Sequence, residues 1–161
     1  MTESESELVI TRVFDAPREL VWRAWTDPEH FRHWWGPKEY TCPSCTIDLR
    51  PGGAWHAAMR GPDGKDLWSK GIYKEIVEPE RIVSTDFFSN EAGEHVDPAE
   101  YGLPPEFPAE MLVTLTFEDL GGKTRLTVHQ SMPAAMAKQM GAYEGWNQSL
   151  DKLADHLAQA S

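Results

Sequence analysis

From Cys45 to Gln130 the chain alternates in polarity, and what separates its alternating runs constrains the fold more than any other feature. CTIDLR (45–50), AWHAAMR (54–60), LWSKGIYKEIV (67–77), RIVSTDFF (81–88), MLVTLTFE (111–118) and TRLTVHQ (124–130) each read as a strand. Turn residues divide most of them: Pro51-Gly52-Gly53, Gly61-Pro62-Asp63-Gly64, Glu78-Pro79-Glu80 and Leu120-Gly121-Gly122. Connections this short join antiparallel neighbours, because a parallel pair needs a crossover of about a dozen residues or more.

What flanks this block is different in kind. LVITRVF (8–14) is a further strand, rich in β-branched residues. Asp15 with Pro17, then Asp27 with Pro28, are two helix starts, and Gly36-Pro37 is a stop. They bound two short helices, with Leu20, Val21, Ala24 and Trp25 on one stripe and Phe31, Trp34 and Trp35 on the next. At the other end Met136, Met140, Tyr143, Trp146, Leu150, Leu153 and Leu157 follow gaps of 4, 3, 3, 4, 3 and 4, one face of a helix. A short turn and then a long helix from about Ala142 to about Ala158 is the expectation. The fold class is α+β: a seven-stranded antiparallel sheet around a long C-terminal helix, in one domain over residues 8–160. One amphipathic helix cannot fill so large a curved sheet, so bulky side chains or a cavity must make up the difference.

Composition narrows the partners. Fifteen basic against 26 acidic residues give a net charge of −11, which disfavours nucleic acid and anionic membrane surfaces. The start, TESESE, reads as an acidic disordered tail over residues 1–7. No apolar leader opens the chain and no long apolar run follows, so a cytoplasmic protein is expected. Seven tryptophans in 161 residues are a heavy load; they build an aromatic core or line a cavity.

One connection breaks the pattern of tight turns. Residues 89–110 hold four prolines and six acidic residues. A loop of this length is a lid over an opening, closed by Tyr101, Leu103 and Phe107, or a solvated insertion.

Cys42 and Cys45, in CPSC, invite a redox or metal reading. A redox pair wants a helix N-terminus, whereas here a strand and turn follow. Zinc wants about four ligands, and His30 and His33 with the two cysteines would be the only set. The reading adopted is that Cys45 is a small buried residue, that Cys42 is incidental, and that no metal or other cofactor is held. Positions 42 and 45 are expected on opposite faces of a regular strand.

Trp35, Trp55, Met59, Phe87, Phe107, Met111, Met140, Tyr143 and Trp146 are the candidate ligand-binding residues, converging between sheet and helix. For such a Met and aromatic stripe, core and pocket readings both stand. Of Trp34 and Trp35, about 100° apart on a helix, one is expected in the core and the other at a cavity mouth. Which face of residues 67–88 is concave stays open, since both carry apolar side chains. His56 and His129 fall on solvent faces. Arg12, Asp86 and Gln130 are strand polars able to point inward and act on a ligand. No catalytic constellation is legible.

Taken in order, FDAPRELVWRAWTDPEHFRHWWGP, IDLRPGG, GIYKEIVEPERIV and the Gly145-Trp146 to Leu157 helix resemble the START-like (SRPBCC) superfamily. Within it they are most similar to the branch named after the activator of the heat-shock-protein-90 ATPase. The resemblance implies the helix-grip fold of the birch pollen allergen, with a ligand cavity between sheet and helix. It also implies, near Cys45, a cysteine kept without metal. The function expected is binding of a small hydrophobic or aromatic ligand. The alternatives are a cyclase-, aromatase- or hydrolase-like enzyme acting on such a ligand, and a module contacting a heat-shock chaperone.

Overall fold

The structure is a computed structural model, and it describes residues 7–103, 107–139 and 142–160. Strands β1 (Glu7–Phe14), β2 (Thr41–Ile47), β3 (Ala54–Arg60), β4 (Asp66–Val77), β5 (Arg81–Ser89), β6 (Met111–Asp119) and β7 (Thr124–Pro133) form one curved, wholly antiparallel sheet. The order is β1-β7-β6-β5-β4-β3-β2, so β1 and β2 are the two edges. Helices α1 (Arg18–Thr26) and α2 (Pro28–Phe31) carry the chain from one edge to the other, and α3 (Ala134–Gln139) and α4 (Ala142–Ala160) close it. Among the described residues no helix is long and apolar enough to cross a membrane.

The helix starts follow their sequence signals. Asp27 accepts a hydrogen bond from the backbone of Glu29 at 2.9 Å, and Pro28 opens α2. This helix is shorter than expected. It ends at Phe31, and Trp34 and Trp35 lie in the turn that follows, their backbone N–H groups directed at the Phe31 carbonyl. Their division is nevertheless the expected one. Trp34 is fully buried and donates to the Ala24 carbonyl at 3.0 Å, while Trp35 faces the concave side of the sheet. The chain then turns at Gly36, whose φ of +103° suits glycine.

Other boundaries also differ from the sequence reading. Residues 1–6 of the expected tail lie outside the described residues. Glu7, also assigned to that tail, is the first residue of β1, and its carboxylate meets His129 on the convex face at 2.7 Å. The second strand begins at Thr41 and not Cys45, and Asp48–Arg50 belong to the turn before β3. CPSC thus lies inside β2, where an edge strand tolerates Pro43. The register slips between Thr41 and Ser44. The Cys42 thiol donates to the Ser44 carbonyl at 3.4 Å. Cys42 is not incidental, because it is a buried member of the core, whereas Cys45 is only half-buried. The neighbouring Cys45 thiol holds Cys42 below the usual thiol range, and Cys42 in turn, with burial, pushes Cys45 up.

Register fixes which face is concave. Trp55, Ala57 and Met59 of β3 pair with Gly71, Ser69 and Leu67 of β4. Asp86, Ser84 and Ile82 of β5 pair with Met111, Val113 and Leu115 of β6. Gly71 is required here. A Cβ at that position would collide with the Trp55 indole nitrogen and the Thr85 carbonyl.

The concave face is filled unevenly, and α4 explains why. Its C-terminal half presents Leu150, Leu153 and Leu157, all buried against the sheet. At this end Phe14, Phe117, Leu126 and Val128 complete a closed core, with Trp22 edge-on to Phe117 at 5.2 Å. The N-terminal half presents Ala142, Gly145 and Ser149 with Trp146 as its one large side chain. Small residues on a helix that spans a curved sheet leave space beneath it.

Candidate functional site

That space is a cavity of about 260 Å³ between the N-terminal half of α4 and the ends of β3 to β7. Trp35, Met59, Phe87, Phe107, Met111 and Trp146 of the expected set line it, with Leu67, Phe88, Leu103 and Met132 among the further apolar residues. Deeper in, a second chamber of about 40 Å³ lies among Trp25, Phe31, Trp55, Tyr73 and Val113. Trp35, Asp86 and Trp146 border both chambers and form the partition between them. Trp55 therefore belongs to the inner chamber alone.

The rings around the partition support one another. Trp35 and Trp146 meet edge to face at 5.7 Å, Trp25 stacks on Trp146 at 6.1 Å, and Trp35 meets Trp55 at 6.0 Å. A polar chain crosses the same place. Trp146 donates its indole N–H to Gln130 Oε1 at 3.1 Å, and the Gln130 amide donates to Asp86 Oδ2 at 3.3 Å. Asp86 retains some accessible surface and borders both chambers. Burial alone pushes its carboxyl up to about 7. Among the described residues, neither chamber is lined by Lys, Arg or His.

The described parts of the long loop, residues 89–103 and 107–110, lie at the mouth. Tyr101, in a 3₁₀ turn over Pro98–Tyr101, donates its hydroxyl to the Ser89 carbonyl at 2.6 Å and accepts from the Trp68 backbone at 3.3 Å. Phe88 contacts both Tyr101 and Phe107, at 5.4 and 5.7 Å, and Leu103, Phe107 and Pro108 reach the cavity. Residues 104–106 lie outside the described residues. Of the two readings of this loop, the lid is the one its contacts favour.

The opposite wall is held by α4. Lys152 donates to the carbonyls of Gly36 and Pro37, each at 3.2 Å, and of Tyr40 at 2.9 Å. Gln148 accepts from the Lys38 backbone at 3.0 Å. Farther along, His30 Nδ1 and His156 Nε2 lie 2.9 Å apart, with His33 stacked on His156. His30 and His33 thus gather on α4 and not on the cysteines. Among the described residues no group of three or more His, Cys, Asp or Glu is placed to hold a metal ion.

Two candidates from the sequence stand elsewhere. Tyr143 does not line the cavity. It is 38% exposed, with Lys138 over its ring at 5.5 Å. It stands about 100° of helical turn from Ala142, which does face the cavity, and that rotation carries the ring outward. Arg12 is not inward either: its guanidinium binds the Asp151 carboxylate and the Asn147 carbonyl, tying β1 to α4. Met140 lies outside the described residues. Asp86 and Gln130 do point inward. Leu67, Ser69 and Tyr73 were missed. Their signal was the alternate phase of β4, where small Ser69 and Gly71 mark the crowded concave side.

A helix-grip fold enclosing an aromatic cavity places the chain among START-like proteins. Residues 15–158 match the family described as activator of Hsp90 ATPase homolog 1-like protein, and the chain belongs to that family. Solved structures agree over the full length. A protein from Nitrosomonas europaea is 27% identical, with a TM-score of 0.78 over 98% of this chain and 97% of its own. One from Chromobacterium violaceum is 29% identical, with a TM-score of 0.75 over 94% and 96%. The AHSA1 protein from Silicibacter pomeroyi, 22% identical with a TM-score of 0.76 over 97% and 100%, shares the fold. No curated protein matches the sequence significantly. Family membership suggests a ligand-binding fold.

Proposed function

We propose that this protein binds a small molecule of apolar and aromatic character in the cavity beneath α4. The observation that carries the reading is the cavity itself: about 260 Å³, walled by indole, phenyl and thioether side chains. Space of roughly 150 Å³ accommodates a benzene ring, so this one takes a ring with a short substituent or a fused pair of rings. The volume lies just below the usual range of about 300–1,000 Å³ for small-molecule sites. Trp35, Met59, Phe87, Phe107, Met111 and Trp146 are the binding residues in this reading, with Trp55 in the inner chamber behind the partition.

Native mass spectrometry of protein purified from its own host tests it, beside titration with a fluorescent apolar probe. A co-purifying molecule, or saturable probe binding at one site per chain, is the expected result. A bare protein that binds no probe would remove the reading. One observation favours assaying conversion of the bound molecule as well: Asp86, held near neutrality, is able both to give and to take a proton. Contact with a heat-shock chaperone rests on the family alone.

A further inference from the structure

We propose that the cavity selects a basic amine, a protonated nitrogen at the inner end of an apolar or aromatic body, held by the Asp86 carboxylate where the two chambers meet. This rests on the cavity reading above and adds the chemical class of what is bound.

The argument begins with orientation. Gln130 Oε1 is committed to the Trp146 N–H, so its amide nitrogen is the end turned to Asp86 Oδ2. One carboxylate oxygen is thereby occupied by protein, and the other is left for a molecule in the cavity. What it asks for follows from its surroundings. Asp86 supplies the single charge on the walls described, and no basic side chain there balances it. An anionic molecule would meet a buried like charge. A cation would neutralise a carboxylate whose one protein partner on these walls, the Gln130 amide, is uncharged. The rings agree, because Trp35 and Trp146 flank Asp86 in both chambers, and aromatic faces attract cations. The net charge of −11 draws cations toward the protein as a whole.

A neutral hydroxyl or carbonyl compound is the competing occupant, served by the protonated acid. The two differ in the sign of their pH dependence. With its carboxyl held up to about 7 by burial, empty Asp86 is part-protonated at neutral pH. An ammonium group requires the ionised form, so its affinity rises with pH up to that value, roughly tenfold per unit. An acceptor requires the acid and shows the reverse. The elements packed around Asp86 add little to this titration. On β4 the inner chamber holds Tyr73, whose phenol burial pushes further above its ordinary range. Strand β6 contributes Met111 and Val113, β7 Gln130, and α4 Trp146, none of which titrates.

The experiment is calorimetric titration of the whole protein with phenylbutylamine, phenylbutanol, phenylbutyrate and butylbenzene, from about pH 5.5 to about pH 7.5. The amine is expected to bind at least about tenfold more tightly than the alcohol at the upper pH and to lose that advantage on acidification. Phenylbutyrate is expected to bind weakest. Asp86→Asn is expected to make amine and alcohol equivalent and the pH profile flat. An alcohol that binds as well as the amine, or an amine affinity indifferent to pH, would overturn amine selection while leaving the cavity reading intact. Failure of all four compounds to bind would overturn both. The pH series on the unmodified protein decides the matter by itself if the variant does not fold.

Discussion

Trp146 holds Gln130 in one orientation: its indole N–H reaches Gln130 Oε1 at 3.1 Å, from helix to sheet across the cavity. The same ring separates the two chambers, so one face of it meets space and not packed atoms. Trp146→Ala should therefore cost about 1–3 kcal/mol, less than the roughly 3–5 kcal/mol of a fully packed aromatic. Trp146→Phe should retain most of the stability and still weaken binding of a polar-headed probe, because Gln130 is then free to turn. Urea melts beside probe titrations measure both. A loss for the alanine variant at the top of the packed range, with unchanged probe binding, would mean that this ring is core.

Asp86 makes stability depend on pH, and the sign is fixed by its burial. The folded carboxyl titrates at about 7, above its unfolded value of about 3.9. Its share of stability is therefore complete below about pH 4 and is lost as pH rises through about 7. Asp86→Asn imitates the neutral acid. It should stabilise the protein by roughly 2–4 kcal/mol at about pH 8 and change little at about pH 4. Paired denaturant melts across that interval check the difference. An asparagine variant less stable than the parent at high pH would contradict a buried, unpaired carboxylate.

His156 acts in the opposite direction. Burial first, and then the neighbouring His30 and His33, hold the His156 imidazole below its ordinary range. The unfolded chain then binds the proton more readily, so this group's effect lowers stability as pH falls below about 6.5. His156→Gln should flatten that part of the profile, and the difference from wild type should grow between about pH 7 and about pH 5. Thermal melts at stepped pH are the measurement; parallel profiles for the two proteins would count against the cluster.

Gly145 gives a test of the cavity by filling it. A Cβ there would sit 3.5 Å from Pro37, an ordinary contact, so no close approach of the helix demands glycine. Gly145→Ala should stabilise α4 by about 0.5–1 kcal/mol. Gly145→Leu should occupy the cavity and reduce probe affinity by at least about tenfold while the protein still folds. Unaltered probe affinity in the leucine variant would place the probe elsewhere.

How much of this was readable depended on how local each signal was. Turns and strands were legible because every hairpin carries its own Gly or Pro and its own alternation. The start of β2 was not, since Pro43 argues against a strand everywhere except at an edge or a bulge, and edges are assigned by topology. The concave face of β4 was hidden by Trp68 and Ile72 on one side and Leu67 and Tyr73 on the other; only pairing with β3 decides between them. Tyr143 matched the helical stripe in spacing, but a stripe does not say where a helix runs past its sheet. Asp86 was visible as an inward-capable polar residue. That no Lys, Arg or His among the described residues lines the chambers beside it was not, because that is a property of five converging strands and a helix.

Lys152 reaches three carbonyls of residues 36–40 with one ammonium group, and this ties that loop to α4. On the binding proposed above, a molecule would exchange on the other side, where Tyr101 fastens the start of the long loop to β4 and β5 with two hydrogen bonds. Affinity and residence time would then belong to different stretches of the chain: the first to the partition at Asp86 and Trp146, the second to the latch at Tyr101.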